Sequence, residues 1–253
     1  MTDPRLAFIL GSGFVIEGEP IVRDTPYGPH SELRDARLGD VRGPVLLRHG
    51  AGHSVPPHRI NHRANLHALA SLGVSHVVSL SSAGALDRRL AVGSFAVPLD
   101  FADFTGQVST FHDDSVRHTS MAEPFDLRLS GLVQRVIGAR VPCTLGGVYV
   151  GVNGPRYPTR AEIRLYRQVG TMIGMTVVPE VILAGELGLC YASCVLISDA
   201  EIDVRHEQVV QAAPQQRAAA LAALPEIVRA IDSGVEPPLP GRIWQPRFRR
   251  WWR

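Results

Sequence analysis

Residues 45–50 read Val45-Leu46-Leu47-Arg48-His49-Gly50, an apolar run that ends in a cationic pair. This pattern predicts a buried strand with Arg48 and His49 at its end. Three loops of small or hydroxyl residues lie at other strand ends: Gly11-Ser12-Gly13, Ser81-Ser82-Ala83-Gly84 and Gly174-Met175-Thr176. Ligands of α/β proteins collect where strands end, and such loops expose backbone N–H groups to an oxyanion. The four loops together predict an anion site and make phosphate a candidate substrate.

Short apolar runs alternate with helical patterns along the rest of the chain. This alternation predicts an α/β fold, with a mixed or parallel sheet covered by helices. We expect Pro225 to kink the last helix or to start a new one. The predicted strands are 6–10, 45–48, 76–81, 94–98, 147–152 and 191–198, and the predicted helices are 61–72, 126–139, 159–169, 179–188 and 214–232.

Composition favours one soluble domain, which we assign to residues 1–232. The chain has 253 residues, of which 45% are hydrophobic and 20% are charged, enough for one large core. A net charge of +2 is too small to imply nucleic-acid or membrane binding by this domain. Three cysteines without a framework spacing, no signal-peptide pattern and no apolar run of about 18 residues predict a cytoplasmic protein.

Residues 233–253 differ from the domain in composition. This tail begins with a proline-rich stretch and contains all three tryptophans of the chain and a cluster of arginines. A basic, aromatic segment can bind acidic membranes or nucleic acid, or it can cap a neighbouring subunit. The alternative is an extension that is disordered or packs on the domain's own surface.

Asp199 is the strongest candidate for acid–base chemistry. It follows the apolar run Tyr191 to Ile197, and a carboxylate at the end of a buried strand is partly desolvated. Desolvation raises its pKa and allows it to donate a proton as well as accept one. The alternative is an aspartate that caps the next segment.

The histidines do not predict a metal site. His49 and His53, and again His58 and His62, are four residues apart, a spacing that suits zinc only on a helix. Pro56 and Pro57 interrupt any helix between the two pairs, and no His-Glu-x-x-His motif occurs. The sequence also lacks a Gly-x-Ser-x-Gly nucleophile elbow and a dinucleotide-binding fingerprint.

Taken together, these residues resemble the purine nucleoside phosphorylase family, and most closely its 5'-methylthioadenosine phosphorylase branch. The resemblance covers residues 6 to 232. The matching stretches are Gly-Ser-Gly-Phe at 11–14, Asp-Thr-Pro-Tyr-Gly at 24–28, Arg-His-Gly at 48–50, Asn-His-Arg-Ala-Asn at 61–65, Met-Ala-Glu-Pro-Phe at 121–125, Gly-Pro-Arg-Tyr at 154–157, Arg-Ala-Glu at 160–162, Met-Thr-Val-Val-Pro-Glu-Val at 175–181 and Ser-Asp at 198–199.

The resemblance implies a single-domain nucleoside phosphorylase fold, with a mixed central sheet flanked by helices. It implies a homotrimer or a dimer of trimers, no metal and no organic cofactor, with inorganic phosphate as co-substrate. The implied phosphate-binding residues are Ser12, Arg48, His49, Ser81, Ser82 and Thr176. Met175 would lie under the ribose, Tyr157, Asp199 and Glu201 would bind the base, and His53 would lie near the 5' substituent, with His118 reaching that pocket from the neighbouring subunit.

By the same resemblance, Asp199 is the catalytic acid, and the reaction is phosphorolysis of a purine nucleoside in purine salvage. Asp199 and Pro158 replace the Asn and Glu of the 6-oxopurine branch, which favours 5'-methylthioadenosine as substrate. Gly174 and Glu201 point the other way, because the methylthioadenosine branch usually carries Asn and Asp there. The alternative substrate is therefore a 6-oxopurine nucleoside such as inosine, guanosine or methylthioinosine.

Two other functions stay open. A nucleosidase of related fold would use water instead of phosphate, although hydrolysis does not need the phosphate cradle of Arg48, His49 and Thr176. A nucleoside-binding paralogue could use the tail to recruit RNA or a membrane, which an intact set of Asp199, Arg48 and Met175 argues against.

Overall fold

The computed structural model describes residues 5–200 and 213–234, which form eleven strands and five α-helices. The strands are β1 (Leu6–Leu10), β2 (Gly18–Pro20), β3 (Glu32–Leu38), β4 (Val41–Leu47), β5 (His76–Ala85), β6 (Phe95–Val97), β7 (Asp100–Asp103), β8 (Cys143–Leu145), β9 (Val148–Gly151), β10 (Met172–Gly174) and β11 (Cys190–Asp199). The helices are α1 (His62–Ala70), α2 (Leu127–Gly138), α3 (Arg160–Tyr166), α4 (Val177–Glu186) and α5 (Pro214–Asp232).

The described strands join one mixed sheet. At its centre, β1 pairs in parallel with β4 and β5, and β5 pairs in parallel with β11. An antiparallel meander of β2, β3 and β4 forms one edge. On the other side β10 pairs antiparallel with β5 and parallel with β9, and β9 pairs in parallel with β7. β6 joins β11 to β8.

β5 determines where this sheet opens. It is ten residues long and β1 is five, so β1 pairs with β5 only as far as Leu80. The Gly11 N–H donates to the Leu80 carbonyl at 2.8 Å and closes that pairing. Farther along, Gly84 and Ala85 pair with β10 instead. The sheet therefore separates between β1 and β10, and the loops that follow these strands border the gap.

Apolar residues on both faces of the sheet form two cores. Along β1, Leu6, Phe8 and Leu10 belong to one cluster and Ala7 and Ile9 to the other, as the alternation of side chains along a strand requires. Helices α2 and α5 cover the first face, and α1 and α4 cover the second. Burial on both faces explains the continuous apolar runs that parallel strands show.

The predicted mixed α/β fold is confirmed, and each predicted strand and helix overlaps an observed one. Asn61 caps α1, since its side-chain oxygen accepts a hydrogen bond from the Ala64 N–H at 3.1 Å. Helix α5 runs through Pro225 as one element, so the prediction that a new helix could start there is wrong. Five observed strands were not predicted from the sequence: β2, β3, β7, β8 and β10. Of the predicted tail at 233–253, residues 235–253 lie outside the part of the chain that the structure describes.

The three cysteines are free thiols, as the absence of a framework spacing indicates. Within residues 5–200 and 213–234, no helix has the length and apolar character needed to cross a membrane.

Candidate active site

The gap in the sheet holds a cavity of about 420 Å³. Its polar lining comes from the loops after β1, β4 and β10, from the middle of β5 and from the end of β11. The remaining wall is apolar. The lining residues are Ser12, Arg48, His49, His53, Pro56, Pro57, Ser81, Ser82, Ala83, Gly84, Val152, Pro155, Tyr157, Pro158, Ile163, Ile173, Gly174, Met175, Thr176, Ser198 and Asp199.

Arg48 forms a buried ion pair with Glu180 of α4. Both side chains are 1% exposed, and Arg48 Nε and Nη2 donate to the two Glu180 carboxylate oxygens at 2.5 and 2.9 Å. Burial opposes the charge of Arg48, but the adjacent carboxylate outweighs it, and the pKa of Arg48 rises above its usual value. Arg48 is therefore a cation in the wall of the cavity.

The guanidinium has N–H groups left for a ligand. An arginine carries five N–H donors, and Glu180 takes one from Nε and one from Nη2. Nη1 lies so close to Gly11 that a Cβ built on that glycine would meet it at 2.6 Å. A side chain at position 11 would displace Arg48, so the first predicted loop needs glycine at this position for a steric reason.

His49 is neutral and presents an acceptor to the cavity. Its Nδ1 lies 2.8 Å from the carbonyl oxygen of Val55, so Nδ1 carries the proton and Nε2 does not. Burial, reinforced by Arg48, lowers the pKa of His49 to about 3. The His49 and His53 rings stack with centroids 4.3 Å apart. In this tautomer His49 offers no second N–H donor to an anion. A neutral His49 can instead accept a hydrogen bond at Nε2 from a protonated oxyanion.

Hydroxyl groups lie beside Arg48. The Ser81 and Ser82 Oγ atoms are buried and have no hydrogen-bond partner among the described residues. Thr176 is the N-cap residue of α4, yet its side chain makes no capping hydrogen bond. The N-terminus of α4, with the positive end of the helix dipole, therefore borders the cavity beside three hydroxyls that can bind a ligand.

Asp199, the last residue of β11, lies beside a later part of β5. It pairs with Gly84, and a Cβ built on Gly84 would meet Asp199 Oδ1 at 2.8 Å. Ser81, near Arg48, and Gly84 are three residues apart, a separation of roughly 10 Å along a strand. Burial raises the pKa of Asp199, and a 2.9 Å hydrogen bond from Ser198 partly opposes this. This is the direction expected for a carboxylate at the end of a buried strand.

Apolar groups surround the space between these two ends. Cβ positions built on Gly154 lie 2.6 Å from Met175 Sδ and 3.0 Å from Pro57, so these two side chains meet beside Gly154. Pro57 and His53 lie on the same connection after β4, and both line the cavity. Pro57 and Met175 therefore form an apolar part of the cavity wall.

Gly174 makes room for Tyr149 of β9. A Cβ at position 174 would collide with the Tyr149 hydroxyl and lie 2.9 Å from its Cζ atom. Tyr149 is fully buried, and burial raises the pKa of its hydroxyl to about 12. In this packing, a side chain at position 174 would require the Tyr149 ring to move.

Most of the residues singled out in the sequence lie together. Ten line the cavity: Ser12, Arg48, His49, His53, Ser81, Ser82, Tyr157, Met175, Thr176 and Asp199. His118 is exposed and does not line the cavity of its own chain. Glu201 lies outside the described residues. Sequence reasoning gave no role to Glu180, although a carboxylate within the apolar run Val177 to Val181 is a signal of a buried, paired charge.

Within the parts of the chain that the structure describes, no group of three His, Cys, Asp or Glu side chains is placed to hold a metal ion.

Residues 5–231 match the family model of the phosphorylase superfamily. The chain belongs to the phosphorylase superfamily. The predicted family is thus confirmed, and the fold agrees with a solved member, methylthioadenosine phosphorylase from Schistosoma mansoni in complex with adenine. That structure superposes with a TM-score of 0.82 at 31% identity, covering 90% of this chain and 91% of the other.

Two relatives in the phosphorylase superfamily carry different substrate names. S-methyl-5'-thioadenosine phosphorylase of Saccharolobus solfataricus is 40% identical over 209 residues, which are 79% of this chain and 77% of the relative. A probable S-methyl-5'-thioinosine phosphorylase of Methanothermobacter thermautotrophicus is 42% identical over 177 residues, 69% of this chain. The match spans 62% of the length of that second relative.

The low pKa of His49 predicts a loss of stability in acid. Between pH 6.5 and about 3 the unfolded chain binds a proton at His49 that the folded chain does not bind. The unfolding free energy therefore falls as the pH falls below 6.5, by up to about 1.4 kcal/mol per pH unit for this residue.

The variant His49→Asn isolates this contribution, because its side-chain amide can still donate to the Val55 carbonyl but does not titrate. Denaturant unfolding at pH 7 and pH 5 should show a smaller acid loss for His49→Asn than for the wild type. Equal losses would contradict the assignment of a neutral, buried His49.

Proposed function

We propose that this protein catalyses phosphorolysis of 5'-methylthioadenosine to adenine and 5-methylthioribose 1-phosphate. The supporting observation is one cavity that holds a cation and the unpartnered Ser81 and Ser82 hydroxyls at one end, and at the other a partly desolvated carboxyl group, Asp199, whose pKa is raised. The separation of roughly 10 Å along β5 suits a substrate that reaches from a phosphate to the far side of a purine. The Saccharolobus and Schistosoma relatives are named for this nucleoside.

At the phosphate end, Arg48, Ser12, Ser81, Ser82, Thr176 and the N-terminus of α4 would bind the anion. His49 Nε2 would accept a hydrogen bond from the P–OH group of a monohydrogen phosphate and so orient its other oxygens. Phosphate attacks C1' of the ribose as the bond to N9 breaks through a ribosyl cation. The bound anion stabilises that positive charge, while the departing base gains negative charge.

Asp199 would neutralise the base. A protonated carboxyl group can donate its O–H to N7 while its carbonyl oxygen accepts from the 6-amino group. A 6-oxopurine presents acceptors at both N7 and O6. A protonated Asp199 has one O–H to donate, so one of these acceptors would face its carbonyl oxygen without a hydrogen bond. The N1–H of a 6-oxopurine would also need an acceptor, which the side chain of Pro158 does not offer. A protonated Asp199 together with Pro158 thus favours adenine as the base.

Gly174 does not weigh against adenine in this proposal. Its lack of a side chain follows from the position of the Tyr149 ring, as the steric conflict with a Cβ requires. The purine choice then depends on groups that face the base, namely Asp199 and Pro158. For the remainder of the nucleoside, Tyr157 would stack on the base and Met175 would lie under the ribose.

The 5' substituent would lie near His53. The neighbouring wall of Pro56, Pro57 and Met175 is apolar, which suits a methylthio group better than a hydroxyl. By the family resemblance, His118 of a neighbouring subunit and Glu201 would complete the 5' and base pockets.

We further propose a homotrimer or a dimer of trimers in the cytoplasm, acting in purine salvage with phosphate as co-substrate and no cofactor. Val108 and Val116, on the same surface loop as His118, are 89% and 92% exposed, which supports an interface there. Light scattering that returned a monomer mass would contradict the trimer.

A second candidate substrate is methylthioinosine. The Methanothermobacter relative is named for it. Release of free base from methylthioadenosine, adenosine, methylthioinosine and inosine separates the candidates. We expect the highest kcat/KM for methylthioadenosine and strict dependence on phosphate. A preference for methylthioinosine would show that Asp199 and Pro158 do not select the 6-amino group. Base release without phosphate would contradict the proposed phosphorolysis.

Asp199→Asn should reduce turnover of methylthioadenosine by about 100-fold or more, because general acid catalysis is lost, with the KM for phosphate changed by no more than about twofold. Asp40→Asn is the matched control, since Asp40 is an exposed carboxylate paired with Arg229 away from the cavity. Initial rates at saturating and limiting phosphate measure both effects. Unchanged turnover in Asp199→Asn would remove Asp199 from the mechanism.

A further inference from the structure

Glu180 occupies an unusual position for a carboxylate. It is 1% exposed, it does not line the cavity, and it holds the Arg48 guanidinium from behind through two hydrogen bonds. An anion next to the main cation of a phosphate site would weaken phosphate binding if charge alone mattered, because it cancels the attraction. Glu180 must therefore be explained by something other than the net charge of the site.

We propose that Glu180 is a positioning residue that fixes the orientation of Arg48 for phosphate. This inference rests on the proposed phosphorolysis and assigns a residue that acts through Arg48 without touching the substrate. By engaging Nε and Nη2, Glu180 fixes the plane of the guanidinium, so that Nη1 and the outer N–H of Nη2 point away from the carboxylate. An arginine held in one orientation loses less conformational entropy when it binds an anion.

Glu180 is itself held rigidly. The Tyr191 hydroxyl donates to its Oε2 atom at 2.7 Å, and the same hydroxyl oxygen lies 2.9 Å from Ser79 Oγ. Ser79 Oγ in turn lies 2.8 Å from Ser193 Oγ, which ties the pair to β5 and β11. His62 Nδ1 is 3.7 Å from Oε1, but burial lowers the pKa of His62 to about 4 and keeps it neutral at pH 7. Arg48 is thus the cation that balances Glu180.

Helix α4 joins this pair to the other side of the phosphate site. Thr176 is its N-cap residue and Glu180 lies one turn farther along, so the hydroxyl and the carboxylate belong to the same rigid element. A shift of α4 would move both together. The geometry thus places the cation, the threonine hydroxyl and the helix N-terminus in a fixed relation before phosphate binds.

The variants Glu180→Gln and Tyr191→Phe test the proposal. A glutamine retains one acceptor but turns its NH₂ group toward the donors of Arg48 or Tyr191, so Arg48 loses one of its two anchors. We expect Glu180→Gln to raise the KM for phosphate by about tenfold or more and the KM for methylthioadenosine by less than about twofold. Tyr191→Phe leaves the ion pair in place and should raise the KM for phosphate by about threefold.

Glu186→Gln is the matched control. Glu186 lies on the same helix, accepts hydrogen bonds from Thr110 and Phe111, and does not line the cavity. The Glu186→Gln variant should have the same KM for phosphate as the wild type. A lower KM for phosphate in Glu180→Gln would show that Glu180 acts through its charge, and an unchanged KM would show that Arg48 does not need this anchor. Either result would overturn the positioning role. If Glu180→Gln does not fold, an unchanged KM for phosphate in Tyr191→Phe overturns it equally.

The wild type separates this test from the test of the proposed function. Absence of phosphate-dependent base release by the wild type would refute phosphorolysis itself. Phosphate-dependent release by the wild type, with equal phosphate KM values in the variants, would refute the role of Glu180 alone.

Discussion

The site depends on one constraint in the sheet: β5 is twice as long as β1 and must change its pairing partner after Leu80. Backbone groups of a buried strand need hydrogen-bond partners. β11 pairs with β5 along nearly its whole length, and on the other side β10 becomes the partner after β1 has ended. The change of partner opens the sheet inside the core. The loops after β1, β4 and β10 meet at this opening, which brings together residues that are distant in sequence.

The two ends of the opening differ in their electrostatics: one is cationic, and the other favours a neutral carboxyl group. Near Ser81, the adjacent Glu180 stabilises the charge of Arg48, and burial keeps His49 neutral. The Ser81 and Ser82 hydroxyls have no hydrogen-bond partner among the described residues. Near Gly84, burial pushes Asp199 toward its protonated form. An anion-binding end and an acidic end within one nucleoside length are what a reaction needs when it develops a sugar cation and a leaving-group anion.

The sequence predicted much of this arrangement, because the decisive residues follow long apolar runs. β1, β4, β5 and β11 are buried on both faces and can be read from composition alone, so Arg48 and Asp199 could be assigned to strand ends. β2, β8 and β10 are three residues long, too short for periodicity to detect. The antiparallel β3 is also missed, since its polar residues alternate with few apolar ones.

Other features depend on contacts between distant residues. Arg48 and Glu180 are 132 residues apart, and no local pattern shows that they pair. The protonated nitrogen of His49 is determined by the Val55 carbonyl, and the glycine at position 174 by the Tyr149 ring. Family resemblance suggested that Gly174 reports on the purine, whereas the packing gives it a steric reason.

The fate of the sugar tests phosphorolysis most directly. Phosphorus-31 NMR of a reaction with methylthioadenosine and inorganic phosphate follows the phosphate atoms while absorbance follows adenine. We predict a new phosphate monoester signal that grows in a one-to-one ratio with free adenine as the inorganic phosphate signal declines. Adenine release with no phosphate ester would contradict phosphorolysis and show that water is the nucleophile in this cavity.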